Sequence, residues 1–184
     1  MIIGPDGWLE SVRKLPSPNF DQRPAGSSIE LIVVHNISLP PGVYGGGHVE
    51  RLFTNLLDPL AHPYFAEIAY MQVSAHVLIE RDGVATQFVA FSNRAWHAGA
   101  SVFEGRSACN DFSIGIELEG SDFDPFTDSQ YESLNALIEL LRVAYPVKAV
   151  CGHSDIAPGR KTDPGPFFDW SRIDSSPRGA SAFA

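Results

Sequence analysis

Residues 29–42 read IELIVVHNISLPPG, and this stretch decides the fold. From Ile29 to His35 the chain is almost continuously apolar over the length of one strand. Such a run suits a central strand buried on both faces. It stops at His35-Asn36, and the Pro40-Pro41-Gly42 that follows permits neither strand nor helix. A histidine therefore stands where a buried strand ends, the place where α/β domains put ligands and catalytic groups.

Working outward, residues 13–28 are rich in Pro, Asn, Asp and Gly and predict an extended surface arm. Residues 48–57 predict a short helix with Val49, Leu52, Phe53 and Leu56 on one face. Residues 58–69 read as an irregular covering loop. Two β-rich runs, 73–80 and 84–89, flank Arg81-Asp82-Gly83, and Asp-Gly at such a joint predicts a hairpin. A third run occupies 112–118. Asp128 is expected to cap a helix reaching about Ala144, because Tyr131, Leu134, Leu137, Ile138 and Leu141 share one face. Residues 147–152 predict another strand, ending at His153, and a short helix is expected near 169–173. The order implies an α/β (or α+β) domain, a central mixed β-sheet flanked by helices. One domain is expected over 1–173, followed by a disordered Ser-, Gly-, Pro- and Ala-rich tail at 174–184.

Composition removes several classes of function. The 184 residues carry a formal net charge of −9, so no basic surplus exists to neutralise nucleic-acid phosphates or to bind an anionic membrane. No stretch approaches the roughly 20 apolar residues of a membrane span, and MIIGPDGWLESVRK at the start lacks the basic and apolar regions of a secretory signal. The only two cysteines, Cys109 and Cys151, read as small buried hydrophobes in a reducing cytoplasm.

Chemistry is concentrated near the strand ends. His35 and His153 close two expected strands, and Asp163 follows ten residues after His153 in HSDIAPGRKTDPG. That Pro- and Gly-rich loop can fold back toward His153. Two histidines and a carboxylate make the three-ligand set of catalytic zinc, although on spacing alone such residues are more often unrelated. Glu117 and Glu119 alternate with Ile116 and Leu118, so the two carboxylates share one face, either solvent or a polar site. Lys161 lies two residues before Asp163 and reads as a surface lysine or as an oxyanion donor. Asn36 could bond a sugar or the ligand shell. Trp96 suits the face of a sugar ring or the core, and His97 could meet a sugar's polar groups. Arg106 reads as a clamp for a peptide carboxylate or as a plain surface residue. His48 and His62 fit no motif, and His76 reads as core or as support for the ligands.

VVHNISLPPG (33–42), HPYF (62–65), VSAHVLIERDG (73–83), RAWHAG (94–99), CNDFSIGIELEG (109–120), FTDSQY (126–131) and GHSDIAPGRKTDPGP (152–166) together carry a resemblance over nearly the whole chain. The sequence resembles the type 2 amidases of the peptidoglycan-recognition superfamily, and within them the cytoplasmic enzymes of cell-wall recycling. The resemblance implies zinc (Zn2+) on His35, His153 and Asp163, Glu117 as general base, and Lys161 at the oxyanion. It implies a small-molecule substrate, a 1,6-anhydro-N-acetylmuramyl peptide, cut at the lactyl–L-alanine amide by a monomer in the cytoplasm. One departure is Ala75, where phage and animal relatives carry a tyrosine. The alternative is a non-catalytic muropeptide-binding module on the same fold, against which the complete ligand set argues. A generic zinc peptidase lacks the HExxH helix it would need.

Overall fold

Apolar side chains at every second position of neighbouring strands build the centre of the molecule. The computed structural model describes residues 1–173, and the expected tail at 174–184 lies outside them. Its elements begin with β1 (Arg13–Lys14), β2 (Phe20–Gln22), β3 (Leu31–Ile37), α1 (His48–Phe53) and α2 (Pro63–Ile68). Next come β4 (Val77–Ile79), β5 (Ala85–Gln87), β6 (Asn93–Ala95), β7 (Val102–Phe103), β8 (Arg106–Ser107) and β9 (Ser113–Glu119). The long helix α3 (Asp128–Ala144), β10 (Ala149–Gly152) and α4 (His153–Ile156) follow, with short 3-10 turns at Cys109–Asp111 and, in the segment expected to be helical, at Trp170–Arg172. Among the described residues, six strands form one mixed sheet in the order β1-β5-β4-β9-β3-β10. Its centre, β4-β9-β3-β10, is wholly parallel, and β4 and β5 form the antiparallel hairpin expected around Asp82-Gly83.

The register fixes which residues share a face. Ile32 lies beside Ile114 and Val34 beside Ile116, and these pack with Val77, Ile79 and Leu118 against Tyr131, Leu134, Leu137, Ile138 and Leu141 of α3. Each such fully buried aliphatic side chain contributes roughly 1.5–3 kcal/mol. The opposite face carries the other half of the alternation: Leu31, Val33 and His35 on β3, and Ser113, Gly115, Glu117 and Glu119 on β9. That face is covered by α1, α2 and the loops from β6 to β9, through clusters around Phe53 and Phe88 and around Cys109 and Cys151. No helix among the described residues is long and apolar enough to cross a membrane.

Four local expectations change. The arm at 13–28 is sewn into the fold: β1 extends the main sheet, β2 pairs with β6, and Ser17 and Asn19 are buried with their polar atoms bonded. Within 58–69 lies a helix, α2, which a six-residue length hid from periodicity. Pro63 starts it and His62 Nδ1 accepts the Tyr64 N–H. Leu56, placed on the apolar face of a longer helix, falls beyond the end of α1 and is 71% exposed. The cap of α3 is Thr127 rather than Asp128, in a capping box with Gln130. The Thr127 hydroxyl also donates to Arg81 O, and Gln130 Nε2 donates to Glu119 O, so this cap ties the helix to the hairpin and to β9.

Replacing Thr127 with alanine is expected to cost about 1 kcal/mol and to lower the melting temperature by ~2–4 °C. Calorimetry checks this, and an unchanged melting point would remove the cap from the account.

Candidate metal centre and cleft

Parallel pairing places three functional strands side by side. Glu117 on β9 is the cross-strand neighbour of His35 on β3. On the other flank Gly152 of β10 pairs with Val34, so the next residue, His153, arrives beside His35. Gly152 keeps this junction close, because a Cβ there would sit 2.7 Å from Pro164 Cδ. Asp163 returns to the same point on its loop, whose carbonyl accepts the Ser154 N–H at 2.9 Å. The result is a triangle of donor atoms. His35 Nδ1 lies 3.0 Å from His153 Nδ1 and 2.9 Å from Asp163 Oδ2, and His153 Nδ1 lies 3.1 Å from that oxygen.

The donor chemistry fits a zinc ion. His153 Nε2 faces the Ala98 carbonyl at 3.1 Å, and because a carbonyl only accepts, this contact favours the tautomer whose Nδ1 offers the lone pair. Asp163 is opposed by its own burial, yet contacts with His153 and His35 hold its carboxyl well below the usual range, so it is ionised. Burial, with His153 and Lys161 adding to it against Asp163, pushes His35 down, toward the neutral form that a metal needs. With a lone pair on each Nδ1, the form in which imidazole binds a metal, these three atoms at about 3 Å are complementary to a cation among them. Tetrahedral zinc with bonds of ~2.0–2.2 Å wants ligand atoms roughly 3.3 Å apart, close to the observed edges. These are also the three residues that could jointly hold a metal ion among those described.

Around the triangle opens a cleft of about 630 Å³, within the range of small-molecule sites. Glu117 lines it. Its Oε2 is buried without a hydrogen-bond partner, and burial, reinforced by Asp163 and opposed by Lys161, raises its pKa well above the usual value. Glu119, two residues on, is instead satisfied by the N–H groups of Gly45 and Arg81, which fits a structural carboxylate. Lys161 is exposed and lines the cleft beside Asp163. Trp96 forms part of the wall, half-buried, with its backbone N–H on Ser74 Oγ. Asn36 also reaches the cleft, but its amide donates to Asp122 Oδ1 and Pro164 O and so braces the Asp163 loop.

Arg106 is a correction. It does not line the cleft. It sits exposed on the β7–β8 hairpin, stacked 3.8 Å over the Phe112 ring and paired with Glu30 at 3.5 Å. A two-residue hairpin carried it to the outer surface, which no periodicity could announce. Arg160, unassigned from sequence, does line the cleft, and its Nη2 donates to Ala98 O and Ala100 O. Its only signal was its place in the Gly-Arg-Lys turn before Asp163. His76 is fully buried beneath the site. Its Nδ1 accepts the Gly115 N–H and its Nε2 donates to Asn93 O. Below it Arg23 is enclosed by the carbonyls of Phe91, Asn110, Asp111 and Ser113, and burial pulls its pKa down only to about 10, so it stays charged.

The chain matches the model of the N-acetylmuramoyl-L-alanine amidase family over residues 25–166. It is 59% identical over 170 residues to the 1,6-anhydro-N-acetylmuramyl-L-alanine amidase AmpD of Enterobacter cloacae, covering 91% of each. The crystal structure of a selenomethionine derivative of AmpD superposes with a TM-score of 0.91 at 55% identity, covering 94% of this chain and 97% of that one. More distant is AmiD from E. coli, solved with anhydro-N-acetylmuramic acid-L-Ala-D-γ-Glu-L-Lys. It matches with a TM-score of 0.59 at 29% identity, over 93% of this chain and 63% of that one.

Burial and the nearby Arg23 charge lower His76 to about 3, against ~6.5 in an unfolded chain. Between those values the unfolded chain holds one proton more, so stability falls as pH falls through that window. Urea unfolding of metal-free protein from pH 6.5 to 4 should therefore show a slope that His76→Asn reduces by one proton. An unchanged slope would mean that His76 is not held neutral.

Proposed function

The chain belongs to the N-acetylmuramoyl-L-alanine amidase family, and from that membership we propose that it hydrolyses the lactyl–L-alanine amide of 1,6-anhydro-N-acetylmuramyl peptides. The observation that carries the proposal is the convergence of His35 Nδ1, His153 Nδ1 and Asp163 Oδ2 beside the unpartnered Glu117 Oε2. High identity to AmpD over nine-tenths of both chains supports the anhydromuramyl substrate.

In this reading His35, His153 and Asp163 hold zinc. When bound, zinc supplies Lewis acidity, lowering the pKa of water and polarising a carbonyl. Glu117 takes the proton of the attacking water at Oε2, its free and buried oxygen. It then returns that proton to the departing L-alanine nitrogen, because an amine leaves only once protonated. Its raised proton affinity suits both halves of that exchange. The Lys161 ammonium faces the charge that develops on the amide oxygen. Trp96 offers a flat apolar wall to the sugar ring, and Asn36 keeps the Asp163 loop seated. Action as a monomer belongs to the same proposal. Anhydromuramyl peptides are turnover fragments, so a cytoplasmic location in recycling belongs to the same proposal.

Incubation with an anhydromuramyl tripeptide, followed by mass spectrometry, should show free tripeptide and anhydromuramic acid. A chelator should abolish release and zinc restore it. Intact substrate in the presence of one bound zinc would contradict the proposal. Glu117→Gln should retain zinc and lose turnover by about two to four decades; near-parental rates would remove Glu117 from the mechanism. Asp163→Ala should lose tightly bound zinc and activity together, and full zinc occupancy in that variant would overturn the ligand assignment.

A further inference from the structure

His97 lines the cleft, and its ring nitrogens face His35 and β9. Its Nδ1 lies 3.0 Å from His35 Nε2, and its Nε2 lies 3.1 Å from Ser113 Oγ. The two imidazoles meet edge to face with centroids 5.1 Å apart. From these contacts we infer that His97 is a positioning residue for the ligand His35, fixing which of its nitrogens faces the metal. The inference rests on the zinc reading given above.

The argument follows the donors. A neutral imidazole carries one N–H. For His35 to offer a lone pair at Nδ1, its proton must sit on Nε2, and that proton needs an acceptor. His97 Nδ1 is the partner that the structure gives it. His97 then holds its own proton on Nε2 and donates to Ser113 Oγ. Each link in the chain His35–His97–Ser113 thus has one donor and one acceptor. A metal-bound histidine whose second nitrogen is hydrogen-bonded keeps its ring orientation and gains basicity.

Three local features hold His97 there. Asn110 Oδ1 accepts the backbone N–H groups of His97 and Ala98, at 3.2 and 2.8 Å, and so pins the segment. Ser113 comes from β9, two residues before Gly115 and four before Glu117, all on the site face. Gly115 supplies the space: a Cβ there would lie 2.4 Å from His97 Cγ and 2.6 Å from Nδ1. A β-strand that otherwise favours side-chain-bearing residues thus leaves one position bare, where the histidine ring lies. His153 has a parallel arrangement through Ala98 O, so the residues 97 and 98 orient both imidazole ligands.

The test is zinc affinity, measured by competition with a chromophoric chelator, in the parent and three variants. His97→Leu removes the acceptor and should weaken zinc binding by about 10- to 100-fold. His97→Asn returns a carbonyl oxygen near the Nδ1 position and should recover most of that loss. Gly115→Ala leaves the histidine in the sequence but drives its ring aside, and should weaken zinc as His97→Leu does, even if the leucine variant folds poorly. In the zinc-loaded parent, nitrogen NMR should detect scalar coupling between His35 Nε2 and His97 Nδ1 through the shared proton. Parental affinity in both His97→Leu and Gly115→Ala would overturn the inference. So would an asparagine variant no better than leucine, which would reduce His97 to packing. A parent chain that takes up no zinc would instead defeat the zinc reading itself.

Discussion

Three atoms that carry negative charge or lone pairs, on His35, His153 and Asp163, meet within about 3 Å of one another. Such a cluster is held together either by a shared proton or by a cation, and the rest of the fold can be understood as what brings it together. Two of the three residues come from the ends of adjacent parallel strands, whose register is fixed by Ile32, Val34, Ile114 and Ile116 packing under α3. A one-residue slip of β3 would turn His35 into the α3 face and bury an aliphatic side chain in the cleft. The third residue arrives on a loop, and that loop is held by Asn36 and by the absence of a side chain at Gly152.

Behind the cluster lies a second polar layer. His97, His76 and Arg23 stack beneath the ligands, each with its nitrogens committed to partners. Buried polar groups are tolerable only when so satisfied. Burial, helped by the Arg23 charge, keeps His76 neutral, and burial with the neighbouring His35 does the same for His97, which leaves both free to act as hydrogen-bond orienters rather than as competing cations. In front of the cluster the logic reverses. Glu117 Oε2 is left without a partner in a partly enclosed cleft, and an unsatisfied buried carboxylate is a group prepared to take a proton.

Much of this was legible in the sequence because it follows from alternation. The buried run ending at His35, the shared face of Glu117 and Glu119, the Asp82-Gly83 hairpin and the apolar stripe of α3 all depend on local periodicity. The triad was legible chiefly through motif resemblance, since no local rule brings residues 35, 153 and 163 together. What escaped had no local signature. Helix α2 is too short to show a period, and the arm at 13–28 gains its structure only from edges it meets in space. Arg106 looked like a clamp because arginine suits carboxylates, but its hairpin projects outward. His97 was legible as a cleft residue but not as a neighbour of His35, which depends on the bare Gly115 beneath it, invisible until β9 is placed.

The central claim is that the register of β9, β3 and β10 creates a site for one zinc ion with two imidazoles and a carboxylate. X-ray absorption at the zinc edge of purified, zinc-loaded protein tests it most directly. The account predicts one zinc per chain, with only nitrogen and oxygen in its coordination shell at ~2.0–2.2 Å and the multiple-scattering signature of two imidazoles. A sulfur shell near ~2.3 Å, which would implicate Cys109 or Cys151, or a signal lacking imidazole scattering, would contradict it.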